Sequence, residues 1–108
     1  MDLKSKKCVP CEGGIPPLTA EEVTNYSKLI DSAWEICDNK RIERIFYFVS
    51  FAHTMTFVNK VAEIAEQEGH HPDIHIHYSE CRIELWTHAI DGLSENDFIL
   101  AAKIDGII

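Results

Sequence analysis

The sequence predicts an α+β fold, a four-stranded antiparallel sheet with three helices packed on one face in the order α-β-β-α-β-β-α. Three observations carry that expectation. Two capping-box patterns, Thr19-Ala20-Glu21-Glu22 and Ser94-Glu95-Asn96-Asp97, mark helix starts. At Ser50 the apolar period changes from strand-like to helical, and around Tyr78 two alternating runs place their apolar members on a common face.

The elements follow in order. Residues 1–18, rich in Lys, Gly and Pro, read as an extended N-terminal arm, and residues 19–108 as one domain. From Thr19, the apolar positions Val23, Tyr26, Ile30 and Ala33 share one helical stripe, which predicts a helix to about residue 33. Trp34 and Ile36 then alternate with Glu35, and Asp38-Asn39-Lys40 supplies a turn into a second strand. That strand, 42–49, is dense in β-branched and aromatic residues and reads as covered on both faces, at least in part. Ser50 is the expected N-cap of the longest helix, whose stripe runs through Phe51, Met55, Val58, Ala62 and Ala65, thickened by Val61 and Ile64. Gly69 stops it. With Ser79-Glu80 taken as the turn of the following hairpin, Tyr78 faces Cys81, Ile76 faces Ile83 and Ile74 faces Leu85. The same register pairs His77 with Arg82, His75 with Glu84 and His71 with His88. After Asp91-Gly92 the second capping box starts a last helix with Phe98, Ala101, Ala102 and Ile104 toward the core.

Composition narrows the functional classes. Eighteen acidic residues against ten basic ones give a formal charge of −8, which opposes a nucleic-acid backbone. No apolar run approaches the ~18 residues of a membrane span, and the Lys-rich start lacks a signal-peptide core, so a cytoplasmic location is expected. The four cysteines do not form a disulfide framework. Cys8 and Cys11 form a Cys-x-x-Cys pair without a second pair to complete a zinc site, and read as ordinary thiols in an arm that packs on the domain.

Histidine carries the chemistry. Four of the six histidines fall between positions 70 and 77, where the long helix stops and Pro72 prevents its continuation. Glu63, Glu66 and Glu68 crowd the negative end of that helix dipole, a local cost of up to ~1 kcal/mol each and therefore a pointer to function. Three readings compete. A metal site lacks carboxylate or thiolate ligands at recognised spacing. His75 and His77 fit a solvated strand face opposite Glu84 and Arg82. His70, His71 and His88, brought together at the open end of the hairpin, fit acid/base chemistry, since imidazole titrates near pH ~6.5.

The pattern Glu66-x3-His70-His71-Pro72-x5-Tyr78-x9-His88-x8-Asp97 resembles the signature of the pterin-4a-carbinolamine dehydratases. Thr87-His88, Gly92-Leu93-Ser94-Glu95-x-Asp97 and the Cys-x-x-Cys-x-Gly-Gly-x-Pro-Pro-Leu arm resemble that family as well. The resemblance implies dehydration of 4a-hydroxytetrahydrobiopterin, or a related 4a-hydroxytetrahydropterin, to the quinonoid dihydropterin, which recycles the cofactor of aromatic amino acid hydroxylases. It implies His70 and His88 as the acid/base pair, His71 as a pterin-orienting residue, and Glu66 as a partner of the pterin or of a histidine. Further pterin contacts would come from Pro72, Thr87, Ala89 and Ile90, with Asp97 serving either the site or only the helix cap. No metal or organic cofactor is implied, and the assembly would be a homodimer or homotetramer. Asp73-Ile74-His75 departs from the family, where many members carry an aromatic residue, and this bears on the pterin side chain accepted. The alternatives are a non-catalytic dimerisation cofactor for a transcription factor, known in the family, and a His-rich metal-binding protein.

Overall fold

The computed structural model describes residues 3–9 and 15–108. Helix α1 (Ala20–Ser27) leads into strands β1 (Glu35–Cys37) and β2 (Arg41–Tyr47), helix α2 (Phe51–Glu68), strands β3 (Asp73–His77) and β4 (Glu80–Leu85), and helix α3 (Glu95–Asp105). The four strands form one antiparallel sheet, as the element pattern predicts, and within it they lie in the order β1-β2-β4-β3. Ile42, Phe46, Cys81, Ile83 and Leu85 point from the sheet into the core, against Phe57, Val58 and Val61 of α2 and Phe98 and Ile99 of α3.

Both capping boxes are present. Helix α1 nevertheless ends at Ser27, short of the expected residue 33. The Asp31 carboxylate accepts the Ala33 N–H at 2.8 Å, while the Asp31 N–H donates to Asp105 at 3.2 Å, so side chains take the backbone groups that a continuing helix would pair. The turn after β1 puts Asp38 and Asn39 at φ +54 and +56, a conformation these two residue types tolerate better than most.

Strand β2 is covered on one face, contrary to the expectation of two: Ile45, Tyr47 and, just beyond the strand, Val49 are all exposed. The outer face instead carries charge, with Arg82 held by Glu84 at 2.7 Å and Glu43 at 3.4 Å. In α2 the buried stripe is centred on Thr54, Phe57, Val58, Val61 and Ala65, which leaves the predicted Phe51 and Ala62 outside it. Helix α3 is buried nearly all round, because α1 covers it from one side, with Tyr26 stacked on Phe98 at 5.2 Å, and residues 3–9 from another.

The β3/β4 register corrects the sequence expectation by two residues. Ile74 pairs with Ile83, Ile76 with Cys81, His75 with Arg82 and His77 with Glu80, so Tyr78 and Ser79 form the turn. Tyr78 adopts φ +25, which its surroundings impose: its carbonyl accepts the hydroxyl of fully buried Thr54 at 2.9 Å, and the next carbonyl, of Ser79, accepts the Phe48 N–H at 2.7 Å. A shift of two preserves side-chain parity, so the face assignments stand although the partners change. His71 and His88 are consequently not cross-strand partners.

Candidate active site

Three chain segments build one site. At the end of α2, Gly69 takes the left-handed conformation, φ +67, and both its N–H and that of His70 turn back to the Ala65 carbonyl, at 2.9 and 3.3 Å. No atom lies within 4 Å of where a Gly69 Cβ would stand, so the backbone conformation alone selects glycine there. This stop brings His70 and His71 out side by side before Pro72 starts the approach to β3. The second segment is the loop 87–92, closed by the Thr87 N–H to Gly92 carbonyl bond at 2.8 Å and by Asp91 at φ +50, with His88 at the head of a 3-10 turn. The third is the start of α3.

Asp97 joins them. It is fully buried, and its carboxylate takes the Thr87 hydroxyl at 2.8 Å, the Ser94 N–H at 2.9 Å and His70 Nε2 at 2.6 Å. A carboxylate with these donors is a pure acceptor, so His70 Nε2 carries its hydrogen and Nδ1 is the ring nitrogen left for exchange with a ligand. The helix cap and the histidine anchor are one group. Asp97 is thus at once the helix-cap carboxylate and a hydrogen-bond partner of His70.

A cleft of about 280 Å³ opens over this network, lined by His70, His71, Thr87, His88 and Ala89 among the expected residues. Glu66 lies outside the described lining and holds His71 Nε2 at 3.1 Å, an exposed pair. Pro72 and Ile90, half-buried, are also outside that lining.

Three lining residues escaped the sequence reading. Trp86 stacks on His88 with ring centroids 3.9 Å apart and donates its indole N–H to Asp73 at 3.0 Å, so it fixes the face His88 presents. Its signal was available, since a large aromatic two residues before a candidate catalytic histidine has a reason to be there. Asn96 is buried inside the capping box and bonds the main chain of Val9; within a helix start it reads as solvated, and no signal marks it. Val9 lies in the arm, 61 residues ahead of the first site histidine.

Outside the cleft, His75 binds Glu84 at 2.8 Å on the charged sheet face, and His77 is exposed. Among the described residues no three His, Cys, Asp or Glu side chains converge as a metal site requires. The Cys8 thiol is pushed up to about 12, first by burial and then by neighbouring Glu68, which disfavours its thiolate. Cys11 lies outside the described residues. No helix among the described residues is long and apolar enough to cross a membrane.

Residues 16–107 match the family model described as pterin 4 alpha carbinolamine dehydratase. A Nitrosomonas eutropha protein whose name assigns it to pterin-4-alpha-carbinolamine dehydratase is 53% identical over 107 residues, 99% of this chain and 94% of that one. A Rickettsia canadensis protein with the same assignment is 45% identical over 98% of this chain and 97% of its own. Among solved structures, one described as a transcriptional coactivator/pterin dehydratase from Brucella melitensis superposes with a TM-score of 0.78 at 30% identity, covering 84% of this chain and 97% of that chain.

Proposed function

The chain belongs to the pterin-4-alpha-carbinolamine dehydratase family, and on that premise we propose that it eliminates water from a 4a-hydroxytetrahydropterin by histidine acid/base catalysis. The enzyme class is hydro-lyase, and the substrate is 4a-hydroxytetrahydrobiopterin or a close relative. The observation that carries the mechanism is the convergence of His70, His71 and His88 on one cleft, with His70 bonded to a fully buried carboxylate.

The elimination needs two proton movements. The 4a-hydroxyl leaves as water once an acid protonates it, and N5 gives up its proton to a base as the C4a=N5 bond forms, so the enzyme ends with no net gain of protons. His70 and His88 are the pair that perform these transfers. Asp97 accepts the Nε2–H of His70 and stabilises the imidazolium that forms when Nδ1 takes a proton, which makes the ring a better base and fixes its orientation. His88 is held by Trp86 on one face and leaves its edges for the substrate. His71, tethered to Glu66, orients the pterin, together with Thr87 and Ala89 on the cleft wall. In this reading Pro72 and Ile90 shape the backbone on which the histidines stand. The quinonoid dihydropterin is two electrons more oxidised than the tetrahydro form, so a separate two-electron reductase must act on this product before the cofactor spent by an aromatic amino acid hydroxylase is restored. Assembly into dimers or tetramers through the exposed edge strands, β1 or β3, completes the proposal.

The deciding experiment is a stopped-flow measurement of carbinolamine decay. The purified protein should accelerate loss of the carbinolamine absorbance, and a rate equal to buffer alone would sink the enzyme reading.

A further inference from the structure

The N-terminal arm is fastened to the site with more polar contacts than an appendage needs. Leu3 is buried against the core, Lys6 pairs with Glu95 at 2.7 Å, and the Lys4 carbonyl accepts Lys103 at 2.9 Å. The fastening tightens toward the cleft. The Cys8 N–H donates to Glu68 at 2.8 Å, and the Asn96 amide clamps Val9 reciprocally, accepting its N–H at 2.9 Å and donating to its carbonyl at 2.7 Å. Two bonds from one buried amide to one residue's main chain imitate a strand partner and fix that residue's position and direction. Yet the side chain this fixes, Val9, lines the cleft and remains 66% exposed. Further along the chain Pro17 packs against Gly92, where an added Cβ would stand 2.7 Å away, so residues ahead of the domain also brace the loop that carries His88.

We propose that residues 3–9 form a fixed wall of the pterin cleft, with Val9 packing on the flat ring of the substrate and Asn96 the positioning residue that holds Val9 there. An aliphatic side chain held rigidly open to solvent at a cleft rim gains by being covered, and a planar heteroaromatic ring offers the matching surface. The proposal rests on the dehydratase reading for the identity of the ring. The wall contributes in the ground state and the transition state alike, so its loss falls on KM.

The test is steady-state dehydration by the full chain with Val9→Gly and Asn96→Ala, together with trypsin cleavage after Lys6 and Lys7 followed by mass spectrometry. Asn96→Ala should raise KM about 5- to 10-fold with kcat held within about 2-fold, and should speed cleavage of the arm. Val9→Gly, which leaves the main-chain clamp in place, should raise KM about 3-fold without faster cleavage. A wild-type KM in either variant overturns the proposal, and so does a loss confined to kcat, which would show Asn96 acting through Asp97. If Asn96→Ala fails to fold, Val9→Gly decides alone. Should the wild-type chain not turn over the carbinolamine, the dehydratase reading falls by itself. The wall is then read from the Kd of 7,8-dihydrobiopterin, and an unaltered Kd in Val9→Gly overturns it.

Discussion

Replacing Asp97 by Asn isolates the charge that ties helix cap to histidine. The amide is isosteric, and its oxygen can keep the Thr87 hydroxyl and the Ser94 N–H, at 2.8 and 2.9 Å in the native protein. Its NH2 group then faces His70 Nε2 where the carboxylate oxygen stood, 2.6 Å away, and forces that nitrogen to accept. The ring must shift its hydrogen to Nδ1, the atom proposed to exchange protons with substrate, and the imidazolium loses its counter-charge. Hydrogen bonds to a charged group contribute about 1.5–3 kcal/mol and neutral ones about 0.5–1.5, so three weakened contacts on a fully buried side chain, at about 1–1.5 kcal/mol each, cost about 3–4.5 kcal/mol. Urea denaturation should therefore show a lower midpoint for a chain that still folds. Under conditions where the variant is fully folded, carbinolamine dehydration should fall by about 10²–10⁴. A variant destabilised to that extent but turning over within threefold of wild type would refute the role given to the His70–Asp97 pair.

Other expectations follow from the same contacts. His70→Ala and His88→Ala should each lower kcat by ~10²-fold or more, whereas His75→Ala, outside the cleft, should leave it within about twofold, all read by stopped flow. Trp86→Ala should lower kcat more than Trp86→Phe, because the phenyl ring keeps the stacking on His88 and loses only the bond to Asp73; equal effects would show that the indole N–H matters instead. Glu68 is held below the ordinary glutamate value chiefly by the Cys8 N–H, and Glu95 chiefly by Lys6. Because the folded values are the depressed ones, their contribution to arm attachment is complete above pH ~4.5 and fades as pH falls through those lower values. Amide NMR signals of Cys8 and Val9 should move toward unstructured positions in that acid range, ahead of the core signals. Gly92→Ala should destabilise by about 1–3 kcal/mol in thermal unfolding, since its Cβ would enter Pro17.

The element order, both capping boxes and the stop at Gly69 were legible because each is encoded within a few residues. What escaped depends on contacts between distant segments. The hairpin register turned on Tyr78, whose positive φ is imposed by Thr54 24 positions earlier, and no local propensity could place a tyrosine there. Helix α1 stopped early because of Asp105, at the far end of the chain. At the site, the histidines are legible from their density at the helix stop and from their spaced signature, while the hairpin register that the pattern suggests, pairing His71 with His88, is not the one adopted. His70 and His88 instead share the cleft through Asp97 and Thr87, joined across α3 and the loop 87–92. Asn96 and Val9 were invisible, because reciprocal main-chain bonding leaves no pattern in either segment.

The stacking of Trp86 on His88 has an optical consequence. The chain contains two tryptophans, and the other, Trp34, is anchored by its indole N–H to Asp105, away from the described cleft lining. An imidazolium in van der Waals contact accepts an electron from an excited indole far more readily than neutral imidazole does, so the emission of Trp86 should dim and recover with the charge on His88. A Trp34→Phe chain would thus emit from Trp86 alone, and the titration of one proposed catalytic group could be followed by light in the resting enzyme, without substrate or label.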